Sequence, residues 1–186
     1  MTRIETDRLV IRNFRVDDWT GLQRIAIQFE SSEYAPYDHT WPTSEEEIRG
    51  VAEWFAEGDS FLAVELKSDS WFIGFVALNE KEGADERTFG LGYRFDFDLH
   101  GKGYATEACR AVLEHAFERL HAVSITSSTA AANKPSCRLL ERLGFTKTGD
   151  STGSFRTTED GEPIEFTASF FVLPKETWLT SRQKAA

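Results

Sequence analysis

Two glycines in the segment from His100 to Ala105 (HGKGYA) lie where a strand-like run ends and a helical pattern begins. Glycine leaves the backbone open to a ligand, and the first turn of a helix carries main-chain N–H groups that have no partner within the helix. Such groups bind phosphate and pyrophosphate. The segment therefore predicts a site for a phosphate-bearing ligand.

This segment does not fit the two most familiar nucleotide-binding patterns. The dinucleotide fingerprint G-x-G-x-x-G/A fails, because Thr106 stands at its last position and no strand–helix–strand unit is predicted before it. The pattern G-x-x-x-x-G-K-[S/T] of the phosphate loop does not occur in the sequence. We therefore expect a phosphate-bearing cofactor other than NAD or a P-loop nucleotide.

Other chemistries lack the residues that they require. His115 and His121 do not form an H-E-x-x-H zinc motif, and the sequence has no G-x-S-x-G nucleophile elbow. Cys109 and Cys137 lack C-x-x-C spacing, which disfavours both a thiolate metal site and a disulfide framework. We expect no metal cofactor, and a reducing compartment fits the cysteine content.

The composition predicts one folded domain over residues 1–186. With 40% hydrophobic and 28% charged residues, the chain can bury a sizeable core. The 31 acidic against 21 basic residues disfavour nucleic acid and anionic membranes as partners. This charge fits a cationic acceptor and equally fits a role in solubility alone. Because no long apolar run or signal-peptide pattern occurs, we expect a cytoplasmic protein.

Hydrophobic periodicity predicts strands and helices that alternate along the chain. The strands are expected at residues 8–14, 60–66, 71–79, 88–95, 123–127, 155–158 and 164–173, with the last two joined at Asp160-Gly161. The helices are expected at residues 19–29 after a cap at Asp17 or Asp18, from a cap at Thr43 or Ser44 to Gly58, at 104–120 and at 135–143. This order predicts a mixed sheet with helices on its faces.

Residues 34–42 (YAPYDHTWP) predict an irregular segment, because they contain two prolines and no hydrophobic period. Tyr37 and Trp41 are its candidates for contact with a substrate. Aromatic side chains in such a loop either line a pocket or only anchor the loop to the core. The sequence is compatible with both alternatives.

Three segments together resemble the GNAT superfamily of N-acetyltransferases: residues 91–96 (LGYRFD), residues 100–108 (HGKGYATEA), and Asn133 and Ser136 followed by residues 143–145 (LGF). The opening residues 5–9 (ETDRL) and Trp41-Pro42 resemble the RimJ/RimL-like branch. The resemblance implies an α/β (α+β) fold. Its sheet would be mixed and mostly antiparallel, with about seven strands, a splay in the middle and about four helices on its faces.

The resemblance also implies that acetyl-CoA is the cofactor. Its pyrophosphate would lie on the main-chain amides of residues 101–105, and its pantetheine would run along the strand that ends near Phe95, where a free amide could polarise the thioester carbonyl. His100, which replaces a more usual Gln or Arg, either donates to a phosphate or is a plain turn residue. The residues expected to bind the cofactor are Phe95, His100, Gly101, Lys102, Gly103, Tyr104, Ala105, Thr106 and Asn133.

The catalytic residues are less complete than in many relatives. Leu140 stands where many members of the superfamily carry the Tyr that protonates the leaving thiolate, so Ser136, which matches a serine of the RimJ/RimL-like branch, is the candidate for this role. The other interpretation of Ser136 is a helix cap. Gly90 stands where relatives often place a Glu base. Glu80 is the candidate to replace it through water, with Glu82, Asp85 and His39 as further possibilities.

The expected function is therefore transfer of an acetyl group to a primary amine, either a protein N-terminus or a small molecule. The segment 34–41 and the hairpin at Asp160-Gly161 would select this acceptor. The alternative is a CoA-binding sensor or partner module with little or no activity, because Leu140 and Gly90 leave two common catalytic positions empty. The chain is expected to be a monomer, or a homodimer formed through an edge strand.

Overall fold

The structure is a computed structural model that describes residues 2–81, 83 and 87–183, and within these residues the chain forms one eight-stranded sheet and five α-helices. The strands are β1 (Arg3–Glu5), β2 (Leu9–Asn13), β3 (Phe61–Leu66), β4 (Phe72–Glu80), β5 (Thr88–Phe95), β6 (Ser124–Ala130), β7 (Thr146–Thr157) and β8 (Pro163–Pro174). The helices are α1 (Trp19–Glu30), α2 (Glu45–Ala56), α3 (Tyr104–Glu118), α4 (Lys134–Arg142) and α5 (Lys175–Gln183). The α/β class is confirmed, and the sheet and the helices each have one member more than expected.

The sheet has the order β1-β2-β3-β4-β5-β6-β8-β7 and contains one parallel contact, between β5 and β6. Strands β3, β4 and β5 form an antiparallel meander. The parallel contact covers only three residue pairs, from Thr88 opposite Ser124 to Gly90 opposite Thr126. Beyond Gly90 the two strands diverge, and this gap is the splay that the resemblance implied.

Three elements were missed or shortened in the sequence analysis. The strand β1 has only three residues, too few for a recognisable alternation. The strand β7 is twelve residues long and mostly exposed, so its Thr, Ser and Gly residues gave no apolar pattern, and only residues 155–157 of it were predicted. Helix α5 buries Trp178 against Phe117, and this single buried residue among residues 175–181 produces no helical period.

The predicted helix caps have different outcomes. Ser44 caps α2 as expected, because its Oγ accepts a hydrogen bond from the N–H of Glu47. Asp18 precedes α1 but makes no capping bond, and its carboxylate instead accepts two hydrogen bonds of 2.7 and 2.8 Å from Arg12. Arg12 also contacts Glu65 at 2.8 Å, and all three of these charged residues are buried. This ion triad ties β2 and β3 to the start of α1.

The sheet carries helices on both faces. Helices α1 and α2 pack on one face, and α3, α4 and α5 pack on the other. Side chains of a strand alternate between the faces, so Tyr93 and Phe95 of β5 lie on the α3–α4 face, whereas Gly92 and Arg94 lie on the α1–α2 face. Each residue at the gap is thereby assigned to one side of the sheet.

The described residues contain neither a membrane-spanning helix nor a cluster of metal ligands. None of the helices in this part of the chain is both long enough and apolar enough to span a membrane. No group of three or more His, Cys, Asp and Glu side chains within the same residues is arranged to hold a metal ion.

Candidate active site

A cavity of about 1260 Å³ occupies the gap where β5 and β6 diverge. On the α3–α4 face it is lined by the turn before α3 and by the first turn of α4. On the α1–α2 face it is lined by the end of α1, the segment 34–41 and the β7–β8 hairpin. Because the cavity passes through the gap from one face of the sheet to the other, a ligand bound on one face can present a reacting group to a ligand on the other.

Main-chain groups of β5 face this gap at Tyr93 and Phe95. The N–H of Asp96 donates to the carbonyl of Ile73 on β4 at 2.9 Å. Since bonding alternates along an antiparallel pair, Tyr93 and Phe95 turn their main-chain groups away from β4, toward the side where β6 no longer pairs. The carbonyl of Phe95 lies 3.2 Å from Nε2 of His100. One ring nitrogen of His100 is thus engaged within the protein, and only Nδ1 is left for a phosphate.

The turn before α3 has the geometry of an anion site. Gly101 and Gly103 have φ angles of 78° and 83°, the left-handed region that residues with a Cβ avoid. In such a turn successive N–H groups converge, and the N-terminus of α3 adds its own. His100, Gly101, Gly103, Tyr104, Ala105 and Thr106 line the cavity, whereas Lys102 is exposed and outside its lining. The turn therefore fits a pyrophosphate through its main-chain amides.

A clamp of side chains holds this turn, and the sequence analysis did not identify it. Arg8 donates from Nη1 to the carbonyl of Lys102 at 3.0 Å and from Nε to Glu107 at 2.6 Å, and its guanidinium lies 4.5 Å from the ring centre of Tyr104. The hydroxyl of Thr6 donates to Glu107 at 2.6 Å. Burial raises the pKa of Glu107, but these hydrogen bonds outweigh burial and keep the pKa below its ordinary value. The ionised Glu107 thus anchors the turn to the N-terminal segment.

The start of α4 brings Asn133 and Ser136 to the cavity. Oδ1 of Asn133 accepts the N–H of Ser136 at 3.1 Å, so Asn133 caps α4 and only its Nδ2 group is left for a ligand. The hydroxyl of Ser136 lies 2.8 Å from the hydroxyl of Tyr93 instead of capping the helix. Burial raises the pKa of Tyr93, which keeps the phenol protonated at neutral pH. Tyr93 lies in the LGYRFD segment of the resemblance, but its pairing with Ser136 was not predicted, because the two residues are 43 positions apart.

The candidate bases do not gather at the gap. Glu80 lies at the end of β4 where β5 and β6 are still paired, outside the lining of the cavity, and forms an exposed ion pair of 3.4 Å with Arg87. The structure therefore does not bring Glu80 to the site, because the strands separate at the opposite end of β5. Glu82 and Asp85 lie outside the described residues, and His39 is exposed.

The segment 34–42 covers the α1–α2 side of the gap and is held from β5 by Arg94. Nη2 of Arg94 donates to Asp38 at 2.7 Å, and the guanidinium lies 3.7 Å from the ring centre of Phe29 and 4.3 Å from that of Trp41. Burial lowers the pKa of Arg94 to about 10, with Asp38 opposing the shift. Arg94 is therefore still cationic at neutral pH, and its side chain anchors this segment to β5.

Arg156 of β7 holds the same segment from its other side. Nη1 and Nη2 of Arg156 contact the two carboxylate oxygens of Glu30 at 2.9 and 2.8 Å, and Nε and Nη2 also donate to two carbonyl groups of the segment. Glu30 in addition accepts the N–H of Trp41 at 2.8 Å. The ring of Tyr37 lies 5.7 Å from that of Phe166 on β8. Tyr37 and Trp41 both line the cavity, so the irregular segment and the last hairpin form one wall.

The family follows from a comparison with known proteins. Residues 8–146 match the family model of the acetyltransferase (GNAT) domain. The match covers most of the chain and includes the turn before α3, the gap and α4. The chain belongs to the GNAT family of acetyltransferases, in which acetyl-CoA is the acetyl donor.

Individual relatives agree with this family. The chain is 27% identical over 146 residues to the uncharacterized N-acetyltransferase YnaD of Bacillus subtilis. The aligned residues cover 78% of this chain and 84% of YnaD. The ribosomal-protein-S5-alanine acetyltransferase of Vibrio fischeri has the same fold, with a TM-score of 0.77 at 17% identity over 96% of this chain and 99% of that one. The spermidine N-acetyltransferase of Vibrio cholerae, solved with CoA and spermine, has a TM-score of 0.74 at 18% identity over 94% and 99% of the two chains. The chain is thus an N-acetyltransferase.

We expect Gly103→Ala to weaken acetyl-CoA binding about tenfold. A Cβ in the left-handed region costs about 1–2 kcal/mol, so the turn is either strained or rotates its amides away from the phosphate. A cost of about 1.4 kcal/mol corresponds to a factor of ten in binding affinity. Gly50→Ala in α2 is the matched control, because Gly50 lacks a positive φ and a Cβ there meets no atom within 4 Å. Calorimetric titration of both variants measures the effect. Equal affinity in the two variants would contradict the role given to the turn.

Proposed function

We propose that this chain is an acetyl-CoA-dependent N-acetyltransferase of the RimJ/RimL-like branch. It acts as one domain over residues 1–186 and moves the acetyl group to a primary amine of a small molecule or a protein N-terminus. The observation that carries the proposal is the cavity through the gap between β5 and β6, with an anion site on one face and an aromatic segment on the other. A donor and an acceptor can therefore meet from opposite faces of the sheet.

The donor is held largely by main-chain groups. The amides of residues 101–105 take the pyrophosphate, and Lys102 contributes through its N–H although its side chain is exposed. The gap-facing N–H of Phe95, whose carbonyl already contacts His100, pairs with the pantetheine, and Nδ2 of Asn133 donates to it. His100 and Thr106 line the same part of the cavity. Main-chain recognition explains why glycines, and not basic side chains, mark this site.

The chemistry at the gap depends on a few hydrogen bonds. Bound acetyl-CoA supplies an activated thioester carbonyl, which the primary amine attacks directly. A gap-facing N–H near Phe95 stabilises negative charge on the carbonyl oxygen. As the C–S bond breaks, Ser136 passes its Oγ proton to the departing sulfur, and the proton that the attacking nitrogen loses restores the Ser136 hydroxyl. The protonated Tyr93, 2.8 Å away, supports this transfer. An α-amino group, with a pKa of about 7.7–8.0, needs less help to lose its proton than a lysine near ~10.4, which suits a site with no assigned base.

A second candidate function is a CoA-binding sensor or partner module with weak or no activity. The observation that favours it is Leu140, which is fully buried in the core and has no proton to donate. Gly90 likewise offers no base. The hydroxyl pair of Ser136 and Tyr93 favours the enzyme, because it supplies a donor at the cavity. The two candidates make opposite predictions for turnover.

The same proposal includes the setting in which the enzyme works. We infer a cytoplasmic location, with neither nucleic acid nor a membrane as partner, and the net charge of −10 supports this inference. No metal takes part in the proposed reaction. The enzyme is a monomer, or a homodimer formed through the exposed edge strand β7.

The proposal is tested by turnover with a broad panel of primary amines. Purified protein, acetyl-CoA and each amine are combined, free thiol is followed with a colorimetric reagent, and the product is checked by mass spectrometry for one added acetyl group. We expect thiol release that depends on both the amine and the enzyme. Tight binding of acetyl-CoA without turnover on any amine would instead support the sensor.

A further inference from the structure

We propose that the acceptor is a primary monoamine with an aromatic or bulky apolar group close to the amine. Free arylalkylamines and peptides that begin with an aromatic residue share this chemistry. The inference rests on the proposed function and deepens it by naming the class of acceptor. It is carried by the aromatic wall on the α1–α2 face of the cavity, which consists of Tyr34, Tyr37, Phe155, Phe166 and Phe170.

The aromatic wall is built from two elements, and three of its rings form a chain of contacts. Phe166 lies 5.7 Å from Tyr37 of the irregular segment and 5.4 Å from Phe155 of the hairpin, measured between ring centres. Phe155 and Phe170 are 48% and 42% exposed although they line a cavity. Clustered apolar rings left open in a concave site mark a place where an apolar ligand binds. The wall therefore fits an aromatic or bulky apolar group.

The charged groups beside the wall are already occupied. Both carboxylate oxygens of Glu30 contact Arg156. Of the two oxygens of Asp38, one contacts Arg94 and the other accepts the N–H of His39. Nη1 of Arg94 is buried and lacks a hydrogen-bond partner among the described residues, but the guanidinium is covered by aromatic rings. These ions hold the segment 34–42, so they do not serve to recognise a charged acceptor.

Among the described residues that line the cavity, Glu33 is the acidic residue outside these ion pairs, and its one carboxylate suits a single positive charge. Glu33 lines the cavity and is exposed at its rim. One carboxylate at the entrance can attract one ammonium group, and aromatic faces add to this attraction. A polyamine carries several ammonium groups and would have to leave most of them against rings and occupied ion pairs. The charges therefore favour a monoamine.

Small residues connect the wall to the gap. Ser128 and Ala130 of β6 lie opposite Phe170 and Ala168 of β8, on the face that the wall occupies. Gly153 of β7 lies opposite Phe166 in the same way. Their small side chains place no bulky group between the rings and the gap beside β5. An amine only a few bonds away from its aromatic group would thus reach the thioester.

The first test compares kcat/KM for phenethylamine, a Phe-initiated peptide, spermidine, ethanolamine and a Gly-initiated peptide. We expect the better of the two aromatic amines to exceed spermidine and ethanolamine by about 10–100-fold, from burial of one ring. If kcat/KM is at least tenfold higher for phenethylamine than for the Phe-initiated peptide, the acceptor is a free amine. The opposite preference indicates a peptide N-terminus. Equal or faster turnover of spermidine or ethanolamine overturns the inference while the proposed function stands. Failure of every amine overturns the proposed function itself.

The second test assigns the preference to the wall. Phe155→Ala is expected to lower the ratio of phenethylamine to ethanolamine kcat/KM about tenfold, with Phe155→Leu as a second variant that keeps an apolar side chain and an intermediate ratio. Trp54→Ala is the matched control, because Trp54 is 59% exposed and lies outside the cavity. An unchanged ratio in folded Phe155→Ala protein, checked by circular dichroism, contradicts the role of the wall.

Discussion

Replacing Ser136 by Ala is expected to lower kcat by about 10²–10⁴-fold, the usual contribution of a positioned proton donor. The substitution removes the hydroxyl that faces the departing sulfur and leaves Tyr93 without its 2.8 Å partner. The affinity for acetyl-CoA should change little, because the main-chain amides of the turn before α3 still hold the pyrophosphate. Steady-state assays and calorimetry on the same preparation separate the two effects. Ser31→Ala, at the exposed end of α1, is the control.

The link between Ser136 and Tyr93 can be tested with a double-variant cycle. If Tyr93 acts through Ser136, Tyr93→Phe should lower kcat by about tenfold in the wild-type background and have almost no effect in Ser136→Ala protein, because residues that act as a unit are not additive. Equal effects of Tyr93→Phe in both backgrounds would show a purely structural role. Wild-type kcat in Ser136→Ala would place the proton donor elsewhere.

The second large effect is expected on stability. Arg12→Met should lower the free energy of unfolding by about 3–5 kcal/mol, because removal of one partner from a buried ion group leaves the others unpaired. Asp18 and Glu65, which are both buried, would lose the guanidinium that contacts them at 2.7 and 2.8 Å. Urea denaturation followed by circular dichroism measures the change.

An exposed ion pair supplies the control for this prediction. Arg49→Met removes an ion pair with Glu45 one helical turn away and the contact of the guanidinium with the Trp19 ring at 3.8 Å, and we expect a loss of about 1 kcal/mol. If Arg12→Met cost no more than Arg49→Met, the buried triad would not be what ties β2 and β3 to α1.

Local features of the site were predictable from the sequence. The turn at His100–Ala105 depends on glycines and a helix start that are adjacent in the chain, so its position and its left-handed backbone follow from a short pattern. The cap at Ser44 is local in the same way. The long polar strand β7 was not predictable, because its place in the sheet depends on pairing with β8 and not on its own hydrophobicity.

Contacts between distant residues account for what the sequence analysis missed or misplaced. Asp17 or Asp18 was expected to cap α1, but the carboxylate of Asp18 pairs with Arg12 instead, because a buried charge requires a partner. Glu80 was considered as a base because it ends a central strand, yet the gap opens at the other end of β5. The pairing of Tyr93 with Ser136 likewise requires the fold to bring together strand β5 and helix α4.

Calorimetric titration of the purified protein with acetyl-CoA tests the central claim most directly. The account predicts one site with micromolar affinity for acetyl-CoA, and no heat of binding for NADH or ATP titrated under the same conditions. If protein shown to be folded by circular dichroism bound no acetyl-CoA, the cavity between β5 and β6 would not be a donor site. The roles of Gly103, Asn133 and Ser136 would then be contradicted together.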